Sequence, residues 1–313
     1  MPVKWNDISE LKARNDKAFL SLLSPVLLGG FGLFCSLSNS LWMHLLGQLL
    51  LSFFFLQTFI LLHECGHLNF FKSRILNQFF GHLFGLLTMI PFFTWMHMHH
   101  LHHRWTGWRD KDPTTEKTVE PSNSPALRML VNGCWLLFIP IFYLAYMLSN
   151  YWNLGKIKRH LSLSKYRSAV VHICGYLTIY VLLFLFFASF IGKQLIPAFL
   201  LSFVWKELVI MTQHSHIDIP ISNGHDVKPV AYKEQVAYTR SFYIPSWMAS
   251  FFLFNFNLHE AHHVYPGLPS YWLNKIDLDL PKEPKYQDWL LEAKSMKGED
   301  YVFRTASKTG KYF

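Results

Sequence analysis

The chain of 313 residues is short of charge and short of cysteine. Only 16% of its residues are Asp, Glu, Lys or Arg, against about 25% in a typical soluble domain. That deficit argues against an ordinary water-facing fold, and hydrophobic residues, 51% of the chain, stand in its place. The four cysteines, Cys35, Cys65, Cys134 and Cys174, are scattered, and no Cys-x-x-Cys pair exists. Neither a thiolate zinc site nor a disulfide scaffold is suggested, so they read as small apolar fillers. There is no repeat, no low-complexity linker, and no haem-binding or iron–sulfur motif. Acids are outnumbered, 20 against 29 bases, for a net charge of +9. Those bases sit in segments flanking apolar runs, which suits anionic lipid rather than nucleic acid. Residues 1–17 mix acids with bases and lack a cleavage motif, so the first apolar segment is expected to remain as a membrane anchor.

Long apolar runs are what the chain does have. A helix crosses a bilayer core of roughly 30 Å with about 20 apolar residues. Residues 18–37 and 41–62 qualify, joined by the short link Ser38-Asn39-Ser40. Residues 169–191 qualify and 195–212 nearly do, with Gly192-Lys193-Gln194 as a tight turn between them. The expectation is an all-α integral membrane protein with four crossings in two hairpins. Residues 79–96 carry Pro91 and residues 129–150 carry Pro140. Proline removes a backbone donor and kinks a helix, so both are expected as in-plane or re-entrant segments. Lys4, Lys12, Arg14, Lys17, Lys72, Arg74 and the five bases of residues 156–167 lie on one predicted side, and only Lys193 on the other. The positive-inside rule then puts both termini in the cytosol. Residues 1–270 are expected to form the membrane domain under a cytosolic cap, and residues 271–313 a cytosolic tail with Trp272 and Trp289 as interfacial anchors.

Three histidine clusters stand at the ends of these runs: His63-Glu64-Cys65-Gly66-His67, His99-His100-Leu101-His102-His103 and His259-Glu260-Ala261-His262-His263. Residues three or four apart share a helix face, so each cluster can present a pair of imidazoles to one ion, with a neighbour free to reach a second. One His-x-x-x-His arises often by chance; three, each at the cytosolic end of an apolar stretch, do not. Neutral imidazole is a ligand for Fe, Zn, Cu and Ni. His97 and His100 lie off the spacing and are expected beside the centre or facing solvent. His44, His82 and His172 are expected as hydrogen-bonded helix residues. Glu64, Asp110, Asp112, Asp226 and Glu260 are candidates for accepting the outer ring N–H of ligating imidazoles. Glu207 is expected to face the protein interior, because a carboxylate is costly in lipid.

These residues resemble the three boxes of the membrane-bound fatty acid desaturase and hydroxylase superfamily. The resemblance covers about residues 40–270. Arg104, Thr106, Asp112 and Pro113 resemble the extension that follows the family's second box. Asn257 and Pro266 flank His259, His262 and His263 as in the family's Asn-x-His-x-x-His-His-x-x-Pro box, and Tyr238-Thr239-Arg240 resembles a motif upstream of it. The resemblance implies two iron ions held by His63, His67, His99, His102, His103, His259, His262 and His263. It also implies a further ligand at the end of the fourth helix, where His214 is favoured over His216. Gln213 departs from the acidic residue often found there, and Asn257 joins the residues expected around the ligands. The implied reaction is O2-dependent desaturation of a fatty acyl chain in the membrane, with electrons from a separate donor such as a ferredoxin or small cytochrome. Hydroxylation or ketolation of a fatty acyl lipid or carotenoid is the alternative, since the boxes do not separate these outcomes. Two remoter readings remain. His63-Glu64-Cys65-Gly66-His67 fits the His-Glu-x-x-His motif of a zinc protease with Glu64 as base, which leaves the other clusters unexplained. A metal transporter would place its polar residues within the helices rather than at their ends.

Overall fold

The computed structural model describes residues 10–119, 124–281 and 283–313. Lys4, one of the bases used above for orientation, lies outside them. Among the described residues the chain is helical and holds no strand. The first apolar run is α1 (Asn15–Ser21) and α2 (Leu23–Ser36), and the second is α3 (Leu41–Gly66). Gly47 lets α2 and α3 approach closely, since a Cβ there would lie 2.3 Å from the Ser36 nitrogen.

Residues 74–105 form α4 (Arg74–Thr88) and α5 (Phe92–Trp105), which meet at 100°. Met89 at φ 55° ends α4 in the left-handed region, and Pro91 caps α5. The second bent pair repeats the device. After α6 (Pro125–Leu136), Phe138 is left-handed at φ 57° and Pro140 caps α7 (Ile141–Met147), with a bend of 111°. Both prolines thus sit at sharp bends, as a residue without an N–H at a helix start allows.

The short α8 (Leu154–His160) leads into α9 (Leu163–Phe190) and α10 (Ile196–His214), joined through a π-helical stretch Ile191–Leu195 with Phe187 outside helical geometry. A straight helix would part His172 from His214 by about 63 Å. Instead His172 stacks on Phe93 at 4.8 Å, and His214 meets His102, on the same helix α5, at 4.7 Å. The chain therefore reverses where Gly192-Lys193-Gln194 was expected to turn it. The two hairpin tips are tied together there: Gln48 Nε2 donates to Ser36 Oγ at 2.8 Å and to the Gln194 carbonyl at 3.1 Å.

Asn15–Ser36, Leu41–Gly66 and Leu163–His214 are long and apolar enough to cross a membrane, and the bent pairs would raise the count of three to five. The flanks agree with lipid contact: Val26 is 66%, Phe34 69%, Trp42 79%, Leu185 73% and Phe186 75% exposed, more bare apolar surface than a soluble monomer shows.

The remaining helices are α11 (Ser246–Leu253), α12 (His259–Val264), α13 (Tyr286–Ser295), α14 (Gly298–Phe303) and α15 (Ala306–Thr309). The segment beyond residue 270 packs into the body. Trp289, Met296 and Tyr301 bury against Trp135 and Met211, the Arg109 guanidinium donates to the Val302 carbonyl at 2.9 Å, and Arg128 pairs with Glu299. Trp289 is therefore no interfacial anchor: it is 1% exposed and donates to the Tyr301 hydroxyl at 3.1 Å. Trp272 reaches the N-terminal segment instead, donating to the Lys12 carbonyl at 2.9 Å beneath the Lys17 ammonium.

Candidate metal centre

Helix ends deliver the histidines. His63 stands in the last turn of α3 and His67 caps it; α5 carries His99, His102 and His103; α12 carries His259, His262 and His263; His214 closes α10. Arg240 secures the end of α10, donating to the Thr212 and Ser215 carbonyls at 3.0 and 3.2 Å. The Tyr238-Thr239-Arg240 segment thus closes the helix that presents His214.

The nine imidazoles form two groups. His63, His67, His99, His103 and His262 make one, and His102, His214, His259 and His263 the other, with one ring nitrogen of each within 4.8 Å of the rest of its group. The closest contacts are between Nε2 atoms: His67–His99 at 3.1 Å, His103–His99 at 3.0 Å, His262–His103 at 3.1 Å and His259–His214 at 2.9 Å. The groups adjoin, the rings of His103 and His263 lying 4.3 Å apart.

Outward hydrogen bonds decide which nitrogen faces inward. His63 Nδ1 contacts Glu64 Oε1 at 3.0 Å, and Glu64 Oε2 accepts the Ser270 N–H at 2.8 Å. His102 Nδ1 contacts Asp112 Oδ2 at 2.6 Å, while Asp112 Oδ1 accepts from the Thr114 N–H and hydroxyl at 2.8 and 2.9 Å. His214 Nδ1 faces the Tyr238 carbonyl at 3.2 Å, and His263 Nδ1 faces Gln235 Oε1 at 2.9 Å. Each of these oxygens takes a proton on Nδ1, which leaves a lone pair on Nε2. Burial alone would raise Asp112, but His102 and Thr114 hold it below the usual carboxylate range. Burial, and after it the neighbouring His102, pushes His262 down to about 3, so this ring is neutral.

The arrangement fits metal ions. His63 Nε2 and His263 Nε2 are buried without a hydrogen-bond partner, and such a group costs roughly 1–3 kcal/mol unless something binds it. Nε2 atoms of neighbouring rings lie 2.9–3.1 Å apart, close enough for both to reach one ion at about 2.1 Å.

Not every candidate joins the site. His216 lies elsewhere, its nitrogens at 3.1 and 3.2 Å from the Arg304 and Lys311 carbonyls. Glu260 is not a partner of the imidazoles, contrary to expectation. On α12 residues 259, 262 and 263 share a face that residue 260 cannot, and its N–H bonds Ser241 Oγ at 3.0 Å. Asn257 donates to the Phe242 carbonyl at 2.9 Å, and its side-chain oxygen accepts no hydrogen bond from the imidazoles. Asp110 binds Ser222, and Asp226 is exposed. His97 sits against Phe93 and His100 is exposed, beside the centre as expected. His44, His82 and His172 stand apart from both groups. Gln235, Thr114 and the Ser270 N–H contact the site unannounced by any spacing. Gln235 lies 28 residues from the histidine it touches.

A cleft of about 280 Å³ opens beside both groups. Apolar and aromatic side chains, Phe59, Trp95, Tyr143, Phe256, Ile210 and Met211, make most of its wall, and Thr115, Lys117 and Ser149 border it. Glu207 faces the interior as expected: it lines the cleft and accepts the N–H groups of Phe142 and Tyr143 at 2.9 and 3.0 Å.

Helices long and apolar enough to cross a membrane, nine convergent imidazoles that could hold metal ions and an apolar cleft beside them define the class of histidine-rich helical protein to which this chain conforms. Comparison with known proteins makes the assignment specific. The family model described as "Fatty acid desaturase" matches residues 40–292, and the chain belongs to that family. A "Fatty acid desaturase" of Bacillus subtilis (strain 168) is 26% identical over 231 residues, 70% of this chain and 63% of that protein. The "sn-1 oleoyl-lipid 12-desaturase" of Picosynechococcus sp. is 25% identical over 245 residues, 75% of this chain and 68% of its own. The "sn-1 acyl-lipid omega-3 desaturase (ferredoxin)" of Synechocystis sp. is 24% identical over 265 residues, 80% and 70% of the two chains. The chain thus spans about two thirds of the length of these relatives.

Proposed function

We propose that this chain is a membrane oxidoreductase that desaturates a fatty acyl chain, using O2 and two iron ions. The observation that carries the proposal is the convergence of nine Nε2-presenting imidazoles in two adjoining groups at the wall of an apolar cleft. Family membership and relatives named as acyl-lipid desaturases support it. Overall, a –CH2–CH2– unit and O2, with two electrons and two protons, give –CH=CH– and two waters. Iron, when bound, supplies the activation of O2 that removal of hydrogen from an unactivated C–H bond requires.

The chain's own residues supply placement. His63, His67, His99, His103 and His262 would hold one ion, and His102, His214, His259 and His263 the other. Glu64, Asp112, Gln235 and the Tyr238 carbonyl fix their tautomers. Phe59, Trp95, Tyr143 and Phe256 offer the acyl chain an apolar bed and keep water from the reacting carbons. Electrons would arrive from a separate donor, for which a ferredoxin is a candidate, since the names of two relatives carry that word. In the membrane we read four crossings, both termini and the histidine face in the cytosol, and residues 1–270 as the di-iron domain, against which residues 271–313 pack.

The zinc-protease reading fares worse. Glu64 is engaged by His63 and the Ser270 N–H, so it is not poised to activate water.

The test is lipid profiling of cells with and without the protein, alongside metal analysis of the purified chain. New double bonds and two irons per chain are expected. Hydroxylated lipids would select the alternative reaction, and a single zinc would overturn the proposal.

A further inference from the structure

Each histidine group has one ring backed by a carboxylate, His63 by Glu64 and His102 by Asp112. His263 is held differently. Its Nδ1 meets the neutral Gln235 Oε1 at 2.9 Å, and the same amide donates from Nε2 to the His103 carbonyl at 2.8 Å. His103 belongs to the first group and His263 to the second, so one side chain bridges the two. Gln235 is completely buried. It lies on the 3-10 helix Tyr232–Tyr238, whose last residue gives its carbonyl to His214 Nδ1 at 3.2 Å. This seven-residue element therefore grips two of the four imidazoles in the second group.

We infer that Gln235 is a positioning residue. It fixes the second histidine group against the first and, being neutral, keeps a second carboxylate away from that group. An amide suits this place because it accepts from an imidazole N–H and donates to a backbone carbonyl at once; Leu does neither, and ionised Glu only accepts. Charge matters because a carboxylate behind a ligating imidazole makes it a stronger donor, and such partners shift metal affinity about 10- to 100-fold. The inference rests on the two-iron reading.

The test uses the full-length protein in detergent, loaded with Fe(II) without oxygen, as wild type, Gln235→Leu and Gln235→Glu. Iron per chain, the Mössbauer signature and the midpoint potential are read. Gln235→Leu should fall from two irons toward one, with loss of one spectral component. Gln235→Glu keeps the acceptor for His263 but loses the donor to the His103 carbonyl, so it should hold more iron than Gln235→Leu while one component shifts and the potential moves negative. Wild-type iron content and spectrum in Gln235→Leu would overturn the inference. If that variant does not fold, Gln235→Glu decides alone, since wild-type iron content together with an unshifted signature would overturn the inference. A wild-type protein that itself binds fewer than two irons would instead sink the two-iron reading.

Discussion

His214 ends α10, His259 opens α12, and the two face each other Nε2 to Nε2 at 2.9 Å across 45 residues of chain. The Tyr238 carbonyl holds the proton of His214 on its far nitrogen, so the Nε2 lone pair of His214 faces His259 and is free to bind a cation between the two rings. Removing one partner tests that directly. His214→Ala should lower bound iron toward one per chain and abolish activity. His216→Ala, whose ring serves the C-terminal segment, should retain iron and lose only stability, by about 1–2 kcal/mol. Iron analysis and thermal unfolding of the two variants separate these effects.

Asp112 tests whether charge or geometry matters behind His102. Asp112→Asn keeps an oxygen for the imidazole and removes the charge. Metal affinity should fall by about 10- to 100-fold. A competition titration with a chelator of known affinity measures it, and unchanged affinity would remove Asp112 from the metal's electrostatics.

Gly66 and Trp95 are locked together. A Cβ on residue 66 would lie 2.1 Å from the Trp95 ring, and that ring stacks on His99 at 4.3 Å. Gly66→Ala must displace the indole. We expect a loss of about 1–3 kcal/mol from overpacking, with reduced iron because His99 moves with the ring. Gly66→Ala with Trp95→Phe should recover part of both, read as melting temperature and iron content.

Glu116 pairs at 3.0 Å with Lys156, which lines the cleft. Burial would raise its carboxyl, but Lys156, His160 and Arg159 pull it below its ordinary value of 4.5. A carboxyl lowered by folding stabilises the folded state above its unfolded pKa, and the gain is lost as pH falls through the folded value. Stability should therefore drop below about pH 4.5 in the wild type. That acid slope should be shallower in Glu116→Gln, as urea unfolding between pH 3 and 7 would register.

Much of the architecture was legible because membrane helices advertise themselves. The run 41–62 became the core of α3, and the prolines at 91 and 140 marked the two bends. The histidines were legible because helical spacing alone puts His259, His262 and His263 on one face. That same geometry turned Glu260 away, a step the boxes did not reveal. Gln235 and Ser270 could not be foreseen, since their contacts cross 28 and 206 residues and carry no local period. Trp289 looked like an anchor because a tryptophan in a polar segment resembles an interfacial one. Its partner Tyr301, itself stacked on Trp135, is brought to it only in the folded chain.

The third cluster is made last. A chain halted on the ribosome before residue 259 owns six of the nine imidazoles and lacks one member of the first group and two of the second. Val302 and Phe303, which help wall the cleft, emerge later still. On the two-iron reading, the full ligand set exists only once α12 has emerged, so a chain truncated upstream of α12 is expected to hold fewer than two irons however much iron is added.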